Sequence, residues 1–313
     1  MDYLVRANNH AKSLIDFALH DLKGKIPGVP ACELLGGRTT ETVKMGWVVS
    51  APKLEHLVQR SVDALRNGFA FVKVKVGVNK SSLKDDVARI AAVREAIGYD
   101  AELQIDPNGA WTYNQALENL RALDKYNIGL VEQPIGHWDV EGLARLRTKI
   151  GIPVFADESA NDPMALLPLI ERKAVDELFL KVSKVGGMVK AHRWLTIAEA
   201  AGLRVHCGCM VGSGIEAAAF MHVLGAHAWS AKFVHENIGP LITHSVWNTV
   251  DSKIANDLAL NIPRYENGFG FLPNGPGLGV DLNEDMVRRY ATPGMEPLVI
   301  NAKTAARLDG YRT

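Results

Sequence analysis

Charged residues close a series of short apolar runs in this sequence. They are Lys73 and Lys75 in FVKVKVG, Asp106 in QIDPNGAW, Glu132 in VEQP, Asp157 in ADES, Lys181 in LKVSKVGG and Glu236 in HENIGP. If the runs are parallel strands, their carboxyl ends meet on one face, where a closed α/β barrel carries its chemistry. Three carboxylates converging there repel one another unless a cation neutralises them, and hard oxygen ligands of this kind suit Mg²⁺ or Mn²⁺. Lys73 and Lys75 are two residues apart, so a strand points both to the same face. Two ammonium groups held close depress each other's pKa, which would leave one neutral enough to act as a base. Lys181 would face them across the site. Bases on both sides of a metal-bound carbon acid suit removal of a proton α to a carboxylate, with the metal and Lys73 stabilising the enediolate.

The elements that must position these groups alternate regularly. Strand candidates are 42–49, 71–76, 102–106, 129–132, 153–157, 177–182, 203–207 and 231–236, and helical spacing fills the intervals between them. Eight β-then-α units in a chain of 313 residues predict a (β/α)₈ TIM barrel in preference to an open doubly wound sheet. Ahead of them, residues 11–23 space Leu14, Ile15, Phe17, Ala18 and Leu22 as an amphipathic helix that Gly24 stops. From about 262 onward the chain turns dense in Gly, Pro and Asn and reads as extended loop. The expected divisions are a linker helix over 1–41, the barrel over 42–261 and a C-terminal extended segment over 262–313.

Composition narrows the function. The 35 basic and 35 acidic residues balance, so the electrostatic footprint of a nucleic-acid binder is missing. Three cysteines, Cys32, Cys207 and Cys209, are too few and too oddly placed for a disulfide scaffold or a structural zinc site. Neither a signal core nor a membrane-length apolar run occurs, so a cytoplasmic protein without a membrane partner is expected. Cys207 and Cys209 are read as packing groups, as are Trp111, Trp138 and Trp194. His206 is read as structural, and His222 and His227 as core or surface groups. Gly186 and Gly187 lack a dinucleotide fingerprint and are read as a turn.

Taken together, the K-x-K at Lys73 and Lys75, the acidic series and Lys181 in KVSKVGG resemble the enolase superfamily, specifically its muconate lactonizing enzyme subgroup. Asp106, Glu132, Asp157 and Lys181 follow one another at 26, 25 and 24 residues, and ENIGPL and NGPGLGVDLNED add to the likeness. The resemblance implies a (β/α)₇β barrel in which Asp106, Glu132 and Asp157 bind Mg²⁺. It implies Lys75 and Lys181 as the acid/base pair, with Lys73 tuning Lys75, Asn108 beside the metal, and Glu236 orienting Lys181. A lysine at 181 separates the chain from the mandelate racemase subgroup, which has an aspartate there and a histidine two residues beyond His206. The N-terminal α+β capping domain of the superfamily has no counterpart ahead of the opening helix, so an open site of weak activity and an exposed apolar surface favouring a homo-oligomer are expected. The implied activity is muconate-cycloisomerase-like chemistry on a small carboxylate. Racemisation, epimerisation or dehydration of amino-acid-derived or hydroxy carboxylates stands beside it, and a catalytically silent scaffold is the rival of another class.

Overall fold

The computed structural model describes Asp2, residues 5–78, 81–241 and 257–291, and Gly294. Residues 242–256 of the expected barrel and most of the tail beyond Ala291 lie outside the described residues. Strands β1 (Thr42–Met45), β2 (Trp47–Val49), β3 (Phe71–Lys75), β4 (Glu102–Asp106), β5 (Ile128–Glu132), β6 (Val154–Ala156), β7 (Glu177–Lys181), β8 (Arg204–Gly208) and β9 (Val234–His235) form the barrel. β2 through β8 pair in chain order, each parallel to the next. β1 and β2 are one strand broken at Gly46. Its first half lies parallel to β9 and its second half parallel to β3, while a single bridge from Gly208 to Glu236 joins β8 to the last strand, so the ring closes.

The break has a steric cause. Gly46 donates to the carbonyl of His235 at 2.7 Å, and a Cβ built on it would lie only 2.2 Å from the ring of the fully buried Phe71. Replacing Gly46 by Ala is therefore expected to destabilise the fold by about 1–3 kcal/mol through overpacking. A urea midpoint unchanged from the parent would refute this.

Helices α2 (Leu54–Arg66), α3 (Leu83–Ile97), α4 (Tyr113–Leu123), α5 (Val140–Arg147) and α6 (Leu166–Glu171) each return the chain to the start of the next strand. Short α7 (Val182–Val185) precedes α8 (Met188–Ala200), and α9 (Gly214–Gly225) leads to the last strand. Reciprocal capping boxes at Ser82/Asp85 and Thr112/Gln115 start α3 and α4 where the sequence signals them. Most of the apolar core lies between sheet and helices, and a separate cluster of Leu130, Phe155 and Phe179 fills the barrel itself. Gly186 and Gly187 adopt left-handed φ of 96° and 116°, the turn expected between β7 and α8.

Two elements depart from the expectation. The opening helix, Asn9–Lys25, buries Lys12, Ser13, Phe17 and Gly24 and exposes Leu14, Ile15, Leu19 and Leu22. Hydrogen bonds set its rotation: Asn9 donates to the Lys184 carbonyl at 3.0 Å, and Asp16 accepts from the Met188 amide at 2.6 Å. The tail is more than loop, since β10 (Tyr265–Glu266) and β11 (Phe269–Phe271) form a hairpin whose second strand runs antiparallel to β1. Among the described residues no helix is long and apolar enough to cross a membrane.

Candidate active site

Period-two alternation aims one set of side chains from each strand into the barrel. Phe71, Phe155, Phe179 and His206 form a floor there: the His206 ring lies 5.5 Å from Phe71 and 4.8 Å from Phe155, and its Nε2 is 3.0 Å from Glu177 Oε2. These packed partners give His206 the structural role expected of it.

Above the floor, Lys73 is fully buried and ion-paired to both Glu132 and Glu236, with its ammonium 4.7 Å above the Phe179 ring and 5.4 Å from that of Phe155. Lys75, one pleat nearer the mouth, pairs with Asp106 and donates to Asn108 Oδ1 at 2.8 Å. Lys181 pairs with Asp157 across the opening. Asn108, in a left-handed conformation at φ 47°, also donates its amide to Asp106 Oδ1 at 2.7 Å and its side chain to Glu158 at 3.3 Å. Every charged residue singled out in the sequence therefore meets at one barrel mouth. A cleft of about 470 Å³ opens there, lined among others by Lys75, Asn108, Asp157, Lys181 and Cys209.

Four expectations need correction. Glu236 holds Lys73, not Lys181, because its strand end follows the closing seam beside β1 and its carboxylate reaches the inner layer. Lys73 and Lys75 do not hold each other neutral. Burial favours the free amine at Lys73, Lys75 and Lys181, but the carboxylates outweigh it: Glu132 and Glu236 at Lys73, Asp106 and Glu132 at Lys75, Asp157 and Glu132 at Lys181. All three are raised above an ordinary lysine. Trp138 is 79% exposed, edge-on to His137, whereas Trp111 and Trp194 pack as expected. Cys207 is buried, but Cys209 is only partly so and reaches the cleft.

Two partners of Asp157 escaped sequence reasoning. Lys184 binds the Asp157 carboxylate and its carbonyl, and its pKa is lowered, chiefly by burial and despite the attraction of Asp157. The signal was present as K-x-x-K: α7 begins directly after β7, so a residue three beyond Lys181 curls back over the same strand end. Gln133, at φ 35°, accepts from the amides of Asp157 and Ser159 at 3.1 Å each and so fixes the strand end that carries Asp157. Two lysines on one carboxylate hold Asp157 well below the usual carboxylate range against the opposing effect of burial.

Asp106, Glu132 and Asp157 are each closed onto a lysine, and no three acidic, His or Cys side chains gather as metal ligands among the described residues. The donor chemistry nevertheless fits a hard divalent cation. Asp106, Glu132 and Asp157 are buried oxygen donors, and Glu132 is raised by burial and then by the charges of Asp106 and Asp157, a repulsion that a cation would relieve.

Known proteins share this arrangement of chain. Residues 55–286 match the family described as Enolase C-terminal domain-like. Muconate cycloisomerase 1 of Rhodococcus opacus is 33% identical over 282 residues, covering 90% of this chain and 72% of that protein. N-succinyl-L-Arg/Lys racemase of Bacillus cereus is 32% identical over 291 residues, covering 92% and 73%. Among solved structures, a mandelate racemase/muconate lactonizing family protein from Azoarcus sp. EbN1 superposes with a TM-score of 0.90 at 50% identity, covering 96% of this chain and 79% of that one.

Proposed function

The chain belongs to the enolase superfamily, in its muconate lactonizing enzyme subgroup, and on that premise we propose that it is a divalent-cation-dependent isomerase of the muconate cycloisomerase kind, acting on a small carboxylate by proton transfer at the carbon α to it. The observation that carries this reading is the placement of Lys75 and Lys181 on the lining of one cleft, Lys75 paired with Asp106 and Lys181 with Asp157. Asp106, Glu132 and Asp157 would hold Mg²⁺ or Mn²⁺. When bound, the cation supplies fixed positive charge where an enediolate develops.

The residues of the chain do the rest. Lys73, fully buried between two carboxylates and above two phenyl rings, is held as a permanent ammonium and adds to the positive field beneath the substrate. The aromatic floor excludes water from below, which strengthens that field. A lysine that takes the α-proton must be the free amine, and one that returns a proton must be the ammonium. Paired with Asp106 and Asp157, Lys75 and Lys181 are both ammonium ions, so the base is the lysine whose carboxylate is engaged elsewhere. Lys184 remains on Asp157 and keeps that carboxylate neutralised if Lys181 moves to the substrate.

A racemase or epimerase is the second reading, favoured by two lysines in one cleft where a cycloisomerase needs one. Deuterium incorporation from D₂O at the α-carbon, followed by NMR with Mg²⁺ present, tests both over muconolactone, N-acyl amino acids and succinylbenzoate-type compounds. Exchange with inversion favours the second reading, and exchange on one face alone favours the first. Silence across the whole panel would sink both.

A further inference from the structure

We infer that the turn Cys209–Gly212 is the specificity wall of this cleft, and that the substrate carries an uncharged, apolar group on the side facing β8. The inference rests on the proposed function for the location of the reacting carbon, and deepens it by naming what lies beyond that carbon.

The two sides of the mouth differ in chemistry. Toward β4 to β6 the lining is polar, with Asn108, His137, Glu158 and Asn161. Past the end of β8 it is Cys209, Met210 and Val211. Met210 is 51% exposed and Val211 48%, so these side chains stand open to water at the mouth of a polar site. Of the ionisable groups around the cleft, Lys75 is committed to Asp106, Lys181 and Lys184 are committed to Asp157, the Glu216 carboxylate behind the turn accepts from the Ser183 hydroxyl, and His10 also lines the cleft. A charged substrate group at this wall would therefore lose water with every lysine of the cleft already engaged, whereas an apolar group would bury surface on both partners.

The backbone supplies an independent reason to regard the turn as built for use. Val211 has φ of 55°, a left-handed conformation that a β-branched residue avoids and that is found where surrounding structure over-determines it. The surroundings here do so. A Cβ on Gly212 would overlap the Glu216 carboxylate, which is itself held by the Ser183 hydroxyl. A Cβ on Gly239 would come within 2.5 Å of the Gly212 carbonyl oxygen and 3.0 Å of Cys209 Sγ. Clamped between Gly239 and Glu216, the turn presents Met210 and Val211 to the cleft in one fixed way.

The test uses α-hydrogen carboxylates of equal length that end in a phenyl or isobutyl group, a second carboxylate, or an ammonium. Binding to the Mg²⁺-loaded full chain is measured by calorimetry, and α-exchange separately by NMR. Apolar-ended compounds are expected to bind about tenfold or more tightly than either charged set. Val211→Gly, which fits the left-handed backbone, is expected to raise the thermal midpoint and to cut that preference several-fold. Val211→Asp is expected to turn the preference toward the ammonium-ended set. Equal or tighter binding of charged compounds by the parent, or a preference unmoved by Val211→Gly, overturns the inference. Apolar preference in binding without exchange of any compound defeats the proposed function and leaves this wall standing, while exchange of all three sets alike does the reverse.

Discussion

Replacing Lys181 by Ala is expected to slow α-proton exchange by about 10²- to 10⁴-fold, the usual contribution of a positioned acid or base, with little change in thermal midpoint. The expected separation of the two effects comes from Lys184. Removing one partner of a buried ion pair normally leaves a charge stranded and costs about 3–5 kcal/mol. Asp157 has a second ammonium on its other oxygen, so it is not stranded when Lys181 goes. Lys75→Ala is expected to slow exchange to the same degree but also to lower the midpoint, because Lys75 is the one lysine paired with the buried Asp106 in the described structure. Measuring exchange and thermal unfolding on both variants checks this, and a Lys181→Ala variant retaining more than about a tenth of parental exchange would remove Lys181 from the chemistry.

Acid is expected to unfold this protein well before its carboxylates are all protonated. His222 and His235 are fully buried; each ring bonds one carbonyl through Nε2, Leu278 at 3.1 Å and Ser230 at 3.0 Å, and neither Nδ1 has a partner among the described residues. Burial pushes His222 down to about 4, and burial with the nearby His206 pushes His235 down to about 3. Both are depressed below the ordinary value of 6.5, so above pH 6.5 neither state binds the proton and stability is unaffected. As pH falls below 6.5 the unfolded chain takes up protons that the native state refuses, and stability drops until the native values are reached. The loss approaches about 3 kcal/mol at His222 and about 5 kcal/mol at His235, a large share of a typical domain's 5–15 kcal/mol. Urea midpoints from pH 7 to pH 4 should fall steeply, and His222→Gln should flatten the slope by about one proton. A level profile over that range would rule out this account.

The barrel was legible because strands and helices announce themselves through local periodicity, and the placement of Asp106, Glu132, Asp157 and Lys181 followed from each one ending an apolar run. What the sequence could not disclose depended on partners chosen across the barrel. Which lysine Glu236 meets is decided by strand stagger at the seam, and local pattern contains no record of it. The interruption at Gly46 reflects a ring from a neighbouring strand, and glycine in a strand pattern signals several things besides. The rotation of Asn9–Lys25 was set by side-chain bonds to α7 and α8 rather than by the stripe of leucines that its spacing advertised. Val211 gave no hint of a left-handed backbone, because its clamp comes from Glu216 and Gly239 and not from its own side chain.

Lys73 joins a carboxylate on β5 to one that follows β9, with the whole width of the barrel interior between those strands. It is a tie-rod across a ring that, at the β8 to β9 joint, is fastened by a bridge from Gly208 to Glu236 and a contact from the Cys209 thiol to the Glu236 carbonyl. The ammonium proposed to act beneath the substrate therefore also ties two sides of the barrel together.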